Sequence, residues 1–278
     1  MGLKSWLQST KKQISTIQKS SIKQAKREMV AWKEVKNIIL NMGTFQNESL
    51  TGKKDEPNPG CTERVVSQST GPFLKSTWYQ FNGYNDALKY ISCDGGNKHV
   101  YAGCVPISMA QIMRYYQRPS NYNWSDMPMN NATSTTANFI LDIHNAIGSM
   151  YPGQPVYSCT GSGVGPEISM VLKSKFGYTS AQFANYNFQV VKEELNAGRP
   201  VILQGADANT YTAHMWICDG YSTLQYYFED CTGASASYLN MNWGFEDGKN
   251  NGYYAYDNFN PGKANYSEAI KMTYNIKP

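Results

Sequence analysis

Cys104 follows Gly103 and directly precedes Val105-Pro-Ile-Ser-Met-Ala-Gln-Ile-Met-Arg-Tyr-Tyr116, where Val105, Met109, Ile112 and Tyr116 recur at helical spacing. The pattern predicts a helix that begins at the cysteine and buries one stripe. Pro106 fits its first turn, where a missing N–H leaves no bond unmade. A thiol in that place feels the positive end of the helix dipole, which lowers its pKa toward the thiolate. That is a place for a nucleophile.

Such a nucleophile needs a base, a group that orients the base, and donors for an oxyanion. The chain has three histidines. His99 stands in a Gly/Asn-rich loop five residues before Cys104. His144, within Leu141-Asp-Ile-His-Asn-Ala-Ile, reads as a surface or core-edge residue of a helix. His214 opens a strand-like run, Ala213-His-Met-Trp-Ile-Cys218, with Asp219-Gly220 reading as the turn after it. A base on one lobe facing a helix-borne nucleophile on another makes a cleft, so His214 is the preferred base.

The elements that must position this pair fall into two groups. Helices are expected at 104–116, 137–150, 166–176 with Gly177 as stop, and 189–196. From Pro200 onward the β-prone runs Val201–Gln204, Ala213–Cys218, Gln225–Glu229, Tyr238–Trp243 and Gly252–Tyr256 alternate with turn residues, the pattern of an antiparallel meander. Helices followed by strands give an α+β domain of two lobes. Residues 3–41 read as a basic helix and 44–70 as a polar linker, so the division is 1–60 and 61–278.

Composition narrows the function classes. The first 40 residues carry nine Lys or Arg against Glu28 and Glu34, a net +7 within a chain whose total is +4. The body is therefore slightly acidic, the basic segment reads as a solvated helix face, and nucleic acid is not an expected partner. No apolar run reaches the ~18 residues of a membrane span. The start, Met1-Gly-Leu-Lys-Ser-Trp6, lacks a signal-peptide core, so the chain is either cytoplasmic or begins after a removed signal. Cys61, Cys93, Cys104, Cys159, Cys218 and Cys231 form no CxxC pair and no metal-ligand spacing. With Cys104 free, at least one of the other five is unpaired; Cys218, in an apolar run, reads as a buried small hydrophobe.

A series of blocks resembles the streptopain family of papain-like cysteine peptidases over roughly residues 70–262. They are Trp78-x-Gln80, Gly83-Tyr-Asn85, Gly103-Cys-Val105, Met109-Ala-Gln-Ile-Met-Arg-Tyr115, Gly161-Ser-Gly-Val-Gly165, Lys175-Phe-Gly-Tyr178, Arg199-Pro-Val201 before Gln204-Gly205, His214 with Asp219-Gly220, and Met241-Asn-Trp-Gly244. The resemblance implies a two-lobed papain-like fold, with Cys104 as nucleophile on the helical lobe and His214 as its proton partner on the antiparallel β lobe. It implies that the pair rests as thiolate and imidazolium. Gln80 is similar to the family's oxyanion-hole glutamine, acting beside the backbone N–H of Cys104. Asn242 and Trp243 match the Asn-Trp-Gly block, where an amide oxygen or a backbone carbonyl would fix the imidazole tautomer and the indole would shield it. Ser162, Gly163 and Val164 match a loop lining the substrate cleft; the run lacks the Lys-Ser/Thr of a phosphate-binding loop.

The implied activity is a cysteine endopeptidase working through a thioester on protein or peptide substrates, with no metal or organic cofactor. The alternative is a catalytically silent papain-like module that binds peptides or a partner protein. The family's Asn-Trp-Gly-Trp is broken here by Phe245, followed by Glu246 and Asp247, so the cleft rim is expected to differ. Residues 1–60 are expected to be a self-inhibitory pro-segment or accessory helix. The resemblance further implies a protein secreted, periplasmic or at the surface of a bacterium.

Overall fold

Val201-Ile-Leu203 and Met215-Trp-Ile-Cys218 are unbroken apolar runs, which is how strands read when both faces of their sheet are covered. They lie side by side in the computed structural model, which describes residues 62, 64–159, 161–163, 167–227, 233–262 and 264–278. Strands β7 (Val201–Ala206) and β8 (Ala213–Tyr227) pair antiparallel, with Ile202 opposite Ile217 and Leu203 opposite Trp216. Side chains alternate across them. Ile202, Met215 and Ile217 enter one core, with Trp78, Ile107, Met109, Ile112, Phe139 and Ile143. Val201, Leu203, Trp216 and Cys218 enter another, with Leu239, Met241, Trp243 and Tyr254.

The described residues form four α-helices: α1 (Cys104–Tyr116), α2 (Ser134–Met150), α3 (Ile168–Phe176) and α4 (Phe188–Asn196). Each has a readable boundary. Thr133 caps α2 by accepting the N–H of Thr136, and Asn187 caps α4 by accepting those of Gln189 and Val190. Gly177, at φ 69°, ends α3 in the left-handed conformation. The expected helices are present, α2 starting three residues earlier than the pattern indicated.

The sheet has seven strands. β10 (Gly252–Ala255), β9 (Gly233–Asn242), β8, β7, β11 (Glu268–Lys277) and β6 (Ser180–Asn185) follow one another, and β1 (Arg64–Thr70) pairs with β8. Two hairpins stand apart: β2 (Tyr90–Cys93) with β3 (Gly96–His99), and β4 (Val156–Ser158) with β5 (Gly161–Gly163). A disulfide between Cys93 and Cys159 joins the two hairpins.

Several expectations change. The runs at Ala213 and Gln225 are one strand, so Asp219-Gly220 is strand, not turn. The carboxylate of Asp219 accepts the N–H of Leu74 at 2.8 Å and its carbonyl that of Phe73 at 3.1 Å; these bonds replace the water a turn would have had. Part of the expected linker is β1. The helix expected at 3–41 and the division at residue 60 lie outside the described residues.

The chain divides into two compact units. The first, Ser69–Ser222 with Ser237–Pro278, contains both cores, the four helices and every candidate site residue that is described. The second, in its described part, comprises residues 62, 64–68, 223–227 and 233–236, where the Arg64 guanidinium lies 4.5 Å from the centre of the Tyr227 ring.

Candidate active site

Ala102 fixes where the α1 helix begins. Its N–H donates to the carbonyl of Gln80 at 2.9 Å, and its carbonyl accepts the His144 Nε2–H at 2.8 Å. Gly103 then turns the chain at φ 86°, a value that strains any residue with a Cβ, and Cys104 opens the helix. The half-buried thiol sits at the helix end as the sequence predicts. Burial pushes the thiol up, and the backbone amides of Met215, Cys104 itself and Val105, which favour the thiolate, only partly oppose it.

Met215 is the residue after His214, and its carbonyl accepts a hydrogen bond from Ser108 Oγ on α1 at 3.3 Å. Helix and strand are thus tied beside the two candidate residues, Cys104 and His214. His214 stands opposite Gly205 on β7. A side chain on Gly205 would meet the Tyr266 carbonyl at 2.2 Å, so the glycine lets the Tyr266 segment close over the histidine.

The imidazole lies among four aromatic rings: Tyr266 and Phe245 at 5.0 and 5.1 Å between centres, Trp216 and Trp243 at 6.1 and 6.3 Å. Nε2 is 2.9 Å from the Trp243 carbonyl. A carbonyl only accepts, so the proton is on Nε2 and Nδ1 carries the lone pair. Burial depresses this imidazole to about 4, while the Trp243 carbonyl works the other way. In this structure burial therefore favours neutral thiol and neutral imidazole, opposite to the ion pair implied by the resemblance.

The sequence left open whether the Asn242 amide or a backbone carbonyl orients the base. It is the carbonyl of Trp243. Asn242 faces elsewhere: its Nδ2 donates to the Ser76 carbonyl at 2.9 Å and its Oδ1 accepts the Gly244 N–H at 3.1 Å. It also pairs with the Gln111 amide on α1, so it holds the Trp243 segment against the helix. Phe245, where the family carries tryptophan, still covers the imidazole, and Glu246 accepts a hydrogen bond from Asn82 at 3.3 Å. The changed rim keeps its aromatic cover.

Gln80 is half-buried beside the loop that ends at Cys104, and its side-chain amide has no partner among the described residues. Ser162 and Gly163 lie on β5, opposite Tyr157 and Val156 of β4, with Gly163 exposed. Val164 lies outside the described residues. His99 is drawn into its hairpin, Nδ1 against the Leu88 carbonyl at 2.5 Å and its ring over Tyr90. Cys218 is free and buried, as read. Among the described residues no group of His, Cys, Asp and Glu has the arrangement of a metal site, and no helix is long and apolar enough to cross a membrane.

Sequence reasoning missed three contributors: the Gln111–Asn242 amide pair, Tyr266, and the buried His144. Only Gln111 had a signal, since a polar residue amid Met109, Ala110, Ile112 and Met113 needs a partner.

A family profile described as the peptidase C10 family matches residues 78–121 and 119–254. The structure of active wild-type interpain A cysteine protease from Prevotella intermedia shares the fold, with a TM-score of 0.58 and 23% identity over 74% of this chain and 94% of that one. A prointerpain A fragment from the same organism, a cysteine-to-alanine mutant, gives 0.55 and 20% over 93% and 87%. Comparison with curated protein sequences returns no match. The fold is α+β and papain-like, and the chain belongs to the peptidase C10 family and is a cysteine-type peptidase.

Proposed function

We propose that this chain is an endopeptidase in which Cys104 is the nucleophile and His214 its proton partner. The observation that carries the reading is that the helix Cys104 opens is tied through Ser108 to the carbonyl of Met215, the residue after His214, whose imidazole has Nε2 committed to Trp243 and Nδ1 without a partner among the described residues. Nδ1 takes the thiol proton as sulfur attacks the peptide carbonyl carbon. The N–H of Cys104 and the Gln80 amide hold the oxyanion. The C–N bond breaks, the proton passes to the leaving amine, and a thioester remains. Water, deprotonated by the same imidazole, releases the acid and restores the thiol.

Burial, which favours the neutral form of each group singly, does not oppose this. The two charges that proton transfer creates are in contact, and their mutual attraction offsets part of the cost of burying each.

The Cys93–Cys159 disulfide supports an oxidising location, secreted, periplasmic or cell-surface. The pro-form named for one structural neighbour supports reading residues 1–60 as a pro-segment that covers the cleft. Hydrolysis of quenched fluorescent casein by wild type and Cys104→Ala tests the catalytic reading: turnover lost in the variant supports it, and turnover kept sinks it. Deleting residues 1–60 raises activity if that segment inhibits; unchanged activity removes the pro-segment reading.

A further inference from the structure

The proposed mechanism uses one histidine, yet a second is buried beside the same loop. His144, on α2, is 2% exposed and has both ring nitrogens occupied. Nε2 donates to the Ala102 carbonyl at 2.8 Å, so Nδ1 is an acceptor, and it receives the Tyr157 hydroxyl at 2.9 Å. The two rings are parallel to within 4°, their centres 5.7 Å apart. Tyr157 belongs to β4, two residues before the disulfide-bonded Cys159, and lies opposite Ser162 of the expected substrate loop.

Ala102 is the pivot of the site. Its N–H is held by the carbonyl of Gln80, and Gly103 and Cys104 follow it. The 102–103 peptide, which feeds the chain into Gly103, is held at its carbonyl by His144. Through Gly103, at φ 86°, it leads into the next peptide, whose carbonyl accepts the Ile107 N–H at 3.2 Å and which carries the Cys104 N–H, an oxyanion donor only if it points at the developing charge.

We infer that His144 and Tyr157 are positioning residues for the oxyanion hole: Tyr157 orients the His144 ring, and His144 orients Ala102 and with it the Cys104 N–H. The inference rests on Cys104 being the nucleophile. It also joins the wall expected to carry substrate backbone to the donor that stabilises the reacting carbonyl.

Steady-state casein-peptide kinetics and iodoacetamide alkylation of Cys104 separate this role from packing, because alkylation builds no oxyanion. Tyr157→Phe keeps the ring and removes only the hydroxyl; its kcat should fall by ~10-fold with KM unchanged, since uniform binding is untouched. His144→Ala should lose ~100-fold in kcat. His144→Gln, whose amide can still donate to the Ala102 carbonyl, should recover most of that loss. All three should alkylate at the wild-type rate. Wild-type kcat in Tyr157→Phe, or alkylation slowing in step with kcat, overturns the inference; if His144→Ala does not fold, Tyr157→Phe decides alone. Full turnover by Cys104→Ala would instead overturn the catalytic reading beneath it.

Discussion

His214 and His144 share nearly everything a histidine can be given. Both are buried, both donate through Nε2 to a backbone carbonyl, at 2.9 Å to Trp243 and 2.8 Å to Ala102, and burial depresses both to about 4. They part at Nδ1. That of His144 is filled by the Tyr157 hydroxyl, whereas that of His214 has no hydrogen-bond partner among the described residues. A ring with both nitrogens occupied can only hold; a ring with one left over can also move a proton. An incomplete hydrogen-bond set thus distinguishes His214, the proposed base, from His144.

Exchanging the two roles gives the largest expected effect. His214→Gln removes the only free imidazole nitrogen of the pair, and kcat should drop by 10⁴–10⁶-fold, on the order seen when a nucleophile's base is deleted. His144→Gln, with an amide donor still available to Ala102, should remain within ~10-fold of wild type. Comparable losses in the two variants, measured on one peptide substrate, would erase the distinction.

Next comes the oxyanion hole that His144 is inferred to brace. Gln80→Ala should cost 10²–10³-fold in kcat, about the effect of deleting one oxyanion donor. Its backbone carbonyl, which holds the Ala102 N–H, is untouched by the truncation. A KM effect with kcat unchanged would make Gln80 a binding residue and leave the Cys104 N–H as the donor to explain.

The His214 side was far more legible in the sequence than the His144 side. Cys104 announced itself by a glycine before it and a helical stripe after it, and His214 by the apolar strand that follows. Both are local patterns. That Trp243 rather than Asn242 orients the base depends on which of two adjacent polar groups faces inward, and backbone carbonyls leave no trace in residue type. His144 lay in a helix of mixed character, and its partners at Ala102 and Tyr157 are distant in sequence. Two misses were avoidable. Ile270, Met272, Tyr274 and Ile276 alternate as a strand should, and became β11. Asp94-Gly95 between two short runs is a hairpin signal, and it joins β2 to β3. The Cys93–Cys159 pairing was beyond reach, because spacing does not determine connectivity.

That disulfide lies on the His144 side, since Cys159 follows two residues after Tyr157 of β4. It spans 66 residues, for which loop closure alone implies about 4 kcal/mol, with 2–4 kcal/mol the usual measured range. Cys93→Ser with Cys159→Ser should lower urea-unfolding stability by about that amount and reduce kcat while sparing thiol alkylation. A loss below ~0.5 kcal/mol would mean that the unfolded chain gains little freedom without the cross-link. Reductant added to keep Cys104 active should reproduce the double variant once it opens this bond.

The smallest effect compares the histidines by their protons. Both fall from an ordinary value of 6.5 to about 4 on folding, so between those limits the unfolded chain binds two protons that the folded chain does not. Their stabilisation is complete above pH 6.5 and is lost as pH falls toward 4. Asp219 has the opposite sign: burial raises it from 3.8 to about 7, so the folded chain keeps one proton there, and its stabilisation is lost as pH rises through that range. Two protons against one leave a net of one, and stability should fall by roughly 1 kcal/mol per pH unit on acidification from pH 6.5 to 4. Asp219→Asn should double that slope, and His144→Gln should bring it close to zero by leaving His214 against Asp219. Urea unfolding at pH 4, 5 and 6 reads all three. If His144→Gln keeps the full slope, His144 carries a proton in the folded chain, and its Nδ1 cannot then be an acceptor for Tyr157.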